Sequence, residues 1–187
     1  MVNFKRANMD LIGLFSADRL ASYASDDEHR ANFKLIKNIS DKLGAIEIIT
    51  HNKTASALGL SDSVFISRQT LGYWVTAMDE ARIHNDLANF SEIDFRAYAR
   101  TNIKFEWRNY QKVKIIYSII RTIRNRAFHF ENLYKLNANG TPRLSTKHQE
   151  IIIGIEPSKI EIFLNDILKC FDEGLIEYLE GGAQGAP

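Results

Sequence analysis

The chain holds one cysteine, Cys170, among 187 residues, so it can build neither a disulfide framework nor a cysteine-rich zinc site. Three prolines are few for a fold made of many tight turns. No stretch approaches the roughly 18 uncharged apolar residues of a membrane span. The N-terminal apolar run Leu11–Phe15 ends before Asp18 and is too short for a signal peptide, so a cytoplasmic protein with no membrane partner is expected. There is no P-loop, no G-x-G-x-x-G and no G-x-S-x-G. The histidines His29, His51, His84 and His148 are scattered, and neither a metal nor a cofactor is expected.

What is present is ordinary for one globular domain: 45% hydrophobic residues, 25% charged residues and a net charge of +1. A chain of this length buries roughly 70% of its unfolded surface, enough to fold without staples. The pattern predicts one domain over 1–180 and a flexible tail over 181–187, where GGAQGAP gives no reason for order.

Apolar spacing close to the helical period runs through most of the chain, which predicts an all-α bundle of about five helices. The first covers 7–24. Ser25-Asp26-Asp27-Glu28 reads as a break and an N-cap with early acids, opening a second helix that reaches Leu58 with a bend near Gly44. Gly59–Ser63 reads as a turn and Ser67 as the cap of a third helix carrying Leu71, Trp74, Val75, Met78 and Ile83. A short helix follows over 93–100. The fourth long helix spans about Glu106–Ala127, with Tyr110, Val113, Ile116, Tyr117, Ile120 and Ile123 along one side. Glu150–Ile155 suits a short strand or an extended segment, and Pro157 opens a last helix to Leu179. Trp74, Trp107 and Cys170 read as packing residues.

The balanced net charge hides a segregation. Arg96–His129 carries nine basic residues against Glu106 alone, a local charge of +8. Glu150–Glu180 carries eight acids against two lysines, a local charge of −6. A positive field interleaved with Tyr98, Phe105, Trp107, Tyr110 and Tyr117 draws polyanions and stacks unpaired bases. Arg108, Lys112 and Lys114 are the candidate RNA contacts. The same charges would equally serve as a solvated face or as partners of the acidic C-terminal helix.

The chemistry concentrates in Arg121-Thr122-Ile123-Arg124-Asn125-Arg126-Ala127-Phe128-His129-Phe130-Glu131-Asn132. Arg121, Asn125 and His129 share one helix face at spacings of four. Arg124 lies about 140° around the axis from His129, so the two meet over one phosphate only if the helix end unwinds or a second chain contributes. A histidine titrating near neutrality can move a proton at a ribose hydroxyl. Guanidinium groups grip a phosphate and offset its developing charge. The set suits phosphodiester transesterification. It equally suits a plain helix C-terminus, with His129 as a cap and the arginines as surface charges. Glu47 and His51, spaced i, i+4, read as a helix-surface pair or as a second-tier support for this site.

The string Arg124-Asn125-Arg126-Ala127-Phe128-His129 resembles the R-x(4–6)-H signature of the HEPN superfamily. IRNRAFHFEN is similar to the Abi-like, abortive-infection branch, as is Trp74 within Leu71-Gly72-Tyr73-Trp74. The resemblance implies an all-α homodimer that cuts RNA without metal in a toxin–antitoxin, phage-defence or CRISPR system, and leaves open an antitoxin protein, a regulatory RNA or no restraining partner. It implies His129 as acid or base, Arg124 as phosphate ligand, Asn125 as orienting group, and Arg121, Arg126 and Glu131 as supports. HEPN toxins with a nucleotidyltransferase antitoxin carry Tyr two residues after the His; this chain has Glu131. A second match, Arg143 to His148, lacks the Asn and reads as accidental.

Overall fold

The computed structural model describes residues 10–181. The start of the first expected helix over 7–9, and the tail from 182 onward, lie outside them. Within them the chain is largely helical and adds one two-stranded sheet. No helix among the described residues is long and apolar enough to cross a membrane.

The first helical stretch is two pieces, α1 (Leu11–Phe15) and α2 (Ala17–Leu20), split at Ser16, whose φ of 65° no helix accommodates. The long helix α3 (Asp26–Ala57) starts as its sequence says: Ser25 Oγ accepts from the Glu28 N–H at 3.2 Å, and three acids occupy the first turn. It continues unbroken through Gly44. Ile36, Ile39, Leu43, Ile46, Thr50 and Thr54 form its buried stripe.

The turn and cap after α3 differ from expectation. Asp62 caps a short α4 (Ser63–Arg68), and Thr70, not Ser67, caps α5 (Leu71–Ala81) by accepting from the Tyr73 N–H at 3.3 Å. Gln69 and Thr70 break the pattern because their backbones are extended. A short α6 (His84–Leu87) follows, then one 3₁₀ turn at Phe95–Ala97.

Helix α7 (Asn109–Phe128) is the central element and begins three residues later than its apolar pattern suggests, where Gln111 Oε1 accepts from the Arg108 N–H at 2.9 Å. It buries Val113, Ile115, Ile116, Tyr117, Ile119, Ile120 and Ile123, a wider arc than one face, while Tyr110 is exposed. Truncating any of these isoleucines to Ala should cost about 2–5 kcal/mol. The breadth follows from its neighbours, since α7 packs on α3, α5, α6 and the sheet at once.

The segment expected as a strand or extended piece at 150–155 forms the second strand of a hairpin. β1 (Ser145–His148) pairs antiparallel with β2 (Ile151–Gly154), Thr146 opposite Ile153. Asn102 anchors it, accepting from the Gly154 N–H and donating to the Gly154 carbonyl, both at 2.8 Å. The expected last helix is α8 (Ile160–Phe171) and α9 (Leu175–Leu179), interrupted by the extended Asp172.

Candidate functional site

The end of α7 is tightly built. The Phe130 N–H donates to the Ala127 carbonyl at 3.0 Å and the Glu131 N–H to the Arg126 carbonyl at 2.9 Å, closing the helix by a Schellman pair. That closure needs a left-handed residue, and Phe130 supplies it with φ 52°. A non-glycine residue there is strained by about 1–2 kcal/mol. Tertiary contacts hold it: its ring packs on Phe33 at 5.5 Å, and Arg19 donates to the Phe130 carbonyl at 3.2 Å. Two buried asparagines fix the chain beyond. Asn32 donates to the Glu131 carbonyl and accepts from the Leu133 N–H, while Asn132 donates to the Ser22 carbonyl and to Glu28.

This leaves His129 as the C-cap of α7, exposed, its ring without a hydrogen bond among the described residues. Asn125 is exposed one turn earlier, and its carbonyl accepts from the His129 N–H at 3.1 Å. The helix therefore does not unwind between Arg124 and His129, and their angular offset persists.

Arg124 turns toward α3. Its Nε donates to Glu47 Oε2 at 3.3 Å, and its guanidinium lies 5.0 Å from the Phe128 ring centre. On the other side of Glu47 stands His51, with Nε2 at 3.8 Å from Oε1, too far for a hydrogen bond. His51 Nε2 is buried without a partner among the described residues, and burial lowers the His51 pKa, against the pull of Glu47. Trp74, fully buried as a core residue, faces the His51 ring at 5.7 Å. The i, i+4 spacing of Glu47 and His51 was the only sequence signal for this cluster; that it meets Arg124, 77 residues on, is tertiary information.

Arg126 pairs with Glu131 at 3.0 Å, on a half-buried guanidinium whose pKa is lowered by burial first and by Arg143 second. The pair braces the turn after His129. Arg121 is exposed, faces α5, and meets no carboxylate within 4 Å among the described residues. Lys114 also faces α5, with Nζ at 2.5 Å from Asp79 Oδ1. His84 Nε2 reaches the same oxygen at 3.0 Å. Nothing local in the chain marks this Asp79–His84–Lys114 cluster, because α6 comes beside α7 only through the fold.

Two expected RNA contacts change status. Lys112 is buried, not on the surface: its ammonium donates to the Ser91 and Ile93 carbonyls at 2.5 and 2.8 Å, satisfying a loop that packs over α7. Arg108 is exposed but caps the far end of α7, about 30 Å along the axis from His129 at 1.5 Å per residue. The basic segment is not neutralised by the acidic C-terminal region. Of its nine cations, Arg100 alone reaches an acid there among the described residues, Glu156 at 4.0 Å. Glu161 and Glu180 turn instead to Lys42 of α3.

No group of three or more His, Cys, Asp or Glu side chains among the described residues is placed to hold a metal ion. Among the described residues, the arrangement offers an imidazole without a partner, a carboxylate-held guanidinium and an exposed carboxamide at the end of α7, and an arginine without a carboxylate two turns earlier. Comparison of the chain with protein-family models, with curated proteins and with solved structures finds no match.

Proposed function

We propose that the chain is a HEPN-like, Abi-like endoribonuclease that cuts RNA without metal at a site shared by two copies, as part of a phage-defence or toxin–antitoxin system in the cytoplasm. The supporting observation is the end of α7, where a braced turn leaves the His129 ring exposed and without a partner among the described residues, one turn from Asn125. In this reading His129 takes the proton of a ribose 2′-OH. The 2′ oxygen bonds to the adjacent phosphorus as the bond to the 5′ oxygen breaks. A second acid, the other copy's His129, returns a proton to the leaving oxygen. The products are a 2′,3′-cyclic phosphate and a 5′-OH.

Arg124 offsets the charge that develops on the phosphate. Because α7 stays helical through Phe128, Arg124 and His129 of one copy point about 140° apart. Two copies meeting at this end would bring one chain's Arg124 to the other's His129, and this is the reason for proposing a homodimer.

The test is incubation of a mixed-sequence RNA with the protein in excess EDTA, beside His129→Ala and Arg124→Ala, with the product ends mapped. Cyclic-phosphate ends lost in both variants are expected. Intact RNA overturns the reading. One observation favours a second reading, a non-catalytic RNA- or protein-binding module: Arg124 is already engaged by Glu47. Intact RNA that is retarded on a gel would favour that module.

A further inference from the structure

Along α7, Lys114, Ser118, Arg121, Asn125 and His129 follow one another at spacings of four, three, four and four, so they line one face of the helix. The stripe is flanked by α5, through Lys114 and Asp79, and by β1, through Ser118 Oγ and Thr146 Oγ1 at 2.8 Å. Between α5 and α7 it opens into a cleft of about 380 Å³, within the range of small-ligand sites.

Half-buried Val75 gives the cleft an apolar wall for a ring, over a floor formed by the buried Met78 and Tyr117. Its polar groups have defined roles. Lys114 and His84 both meet Asp79 through Oδ1, which fixes the carboxylate and leaves Oδ2 unbonded among the described residues. Glu80 lines the cleft as a second acceptor. An ammonium and a carboxylate side by side offer one donor and one acceptor at a single edge. Guanine matches that edge most fully, with a carbonyl acceptor at O6 beside donors at N1 and N2. Arg121 lies on the His129 side of the cleft, unpaired and in position for a phosphate.

We propose that this cleft is a nucleotide subsite, taking a guanine base at Asp79, Glu80 and Lys114 and the adjoining phosphate at Arg121. It would select an RNA residue a few nucleotides from the cleaved bond, because Lys114 lies about 22 Å along α7 from His129. The role in cleavage rests on the endoribonuclease reading; the binding of a nucleotide does not.

Two measurements separate the two. Calorimetric titration of the full-length protein with GMP, AMP, CMP and UMP should show GMP binding tightest. Asp79→Asn should weaken GMP by roughly tenfold to a hundredfold, the size of one good base-edge pair. Val75→Phe, which fills the cleft without touching its charges, should do the same, and a thermal melt of each variant checks that it folds. In the RNA assay, product ends should be enriched in G at one fixed position relative to the cut, and Glu80→Gln and Asp79→Asn should flatten that enrichment in whatever product forms. Equal binding of all four nucleotides, or GMP binding unchanged by Asp79→Asn and Val75→Phe, overturns the subsite. If RNA is still cut in that case, the endoribonuclease reading stands without it. GMP binding lost in both variants, with RNA never cut, supports the nucleotide site and removes its role in cleavage.

Discussion

Arg124 Nε lies 3.3 Å from Glu47 Oε2, so the arginine of the R-x4-H string is held by a carboxylate from α3. The contact orients the guanidinium, and with the Phe128 ring beneath it the side chain has little rotational freedom left. Misplacing such a group by about 1 Å can cost 100-fold in rate. Glu47→Ala should therefore lower RNA cleavage by tenfold or more. Glu47→Gln, which keeps an oxygen acceptor within reach of Nε, should lose less. An Ala variant as active as the parent would show that the contact does not position Arg124.

Arg124→Ala should leave the fold intact. Its contact with Phe128 is worth about 0.5–1 kcal/mol, and its ion pair, with the Glu47 carboxylate mostly buried, costs more to break than the roughly 0–1 kcal/mol of an exposed pair. A denaturant midpoint close to the parent's, together with lost cleavage, assigns the loss to chemistry. A collapse of the midpoint would instead give Arg124 a structural role.

Lys112 and Arg121 should behave as opposites. Lys112→Met leaves the Ser91 and Ile93 carbonyls without their charged donor, at about 1.5–3 kcal/mol for each hydrogen bond, and should destabilise the fold. It should leave the salt dependence of RNA binding unchanged. Arg121→Ala should barely alter stability and should reduce the salt slope by about one counterion. A filter-binding series from 50 to 200 mM salt on both variants, with urea melts, checks the contrast.

The difference between those two residues shows what the sequence carried. Periodicity marked α3 as one long helix, and the serine and acids at its start marked the cap, because both are local. The wide burial of α7 was less legible: Ile115 and Ile119 go inside only because α3, α5, α6 and the hairpin surround the helix. Lys112 looked like one more surface cation because the loop that claims its ammonium lies 19 to 21 residues away. For the site, the chemistry-bearing types around His129 were visible as a string. Of their partners, Glu47 showed only as half of an i, i+4 pair with His51, and Arg19 and Asn32 did not show at all, since each comes from a helix separated by many tens of residues. Ser67 was misread because an α4 of six residues is too short to show a period.

Phe130 tests the closure of α7. Phe130→Ala keeps the left-handed strain and removes the packing on Phe33, whereas Phe130→Gly removes both. The Gly variant should therefore be more stable than the Ala variant by about 1 kcal/mol, an order opposite to that in ordinary loops. Urea melts of the two measure it directly. An Ala variant as stable as the Gly variant would mean that the closure opens when the ring is lost.

Acid should weaken the fold through its histidines. His51, His84 and His148 have pKa values lowered by burial first, with Lys114 adding to the effect at His84 and His148, and the carboxylates Glu47 and Asp79 opposing it at His51 and His84. In the unfolded chain each titrates near about 6.5. Below that pH the unfolded state takes up protons that the folded state still refuses, so stability falls as pH drops; above it the contribution is complete. Asp79, whose pKa is held down by its hydrogen bond to Lys114, acts with the same sign at lower pH, in the carboxylate range. The urea midpoint should thus be higher at pH 7.5 than at pH 5.5, and His51→Gln and His84→Gln should each shrink the gap. A midpoint that rises on acidification would mean that these rings gain their protons on folding, which would make the Glu47 and Asp79 contacts ion pairs and reverse the sign.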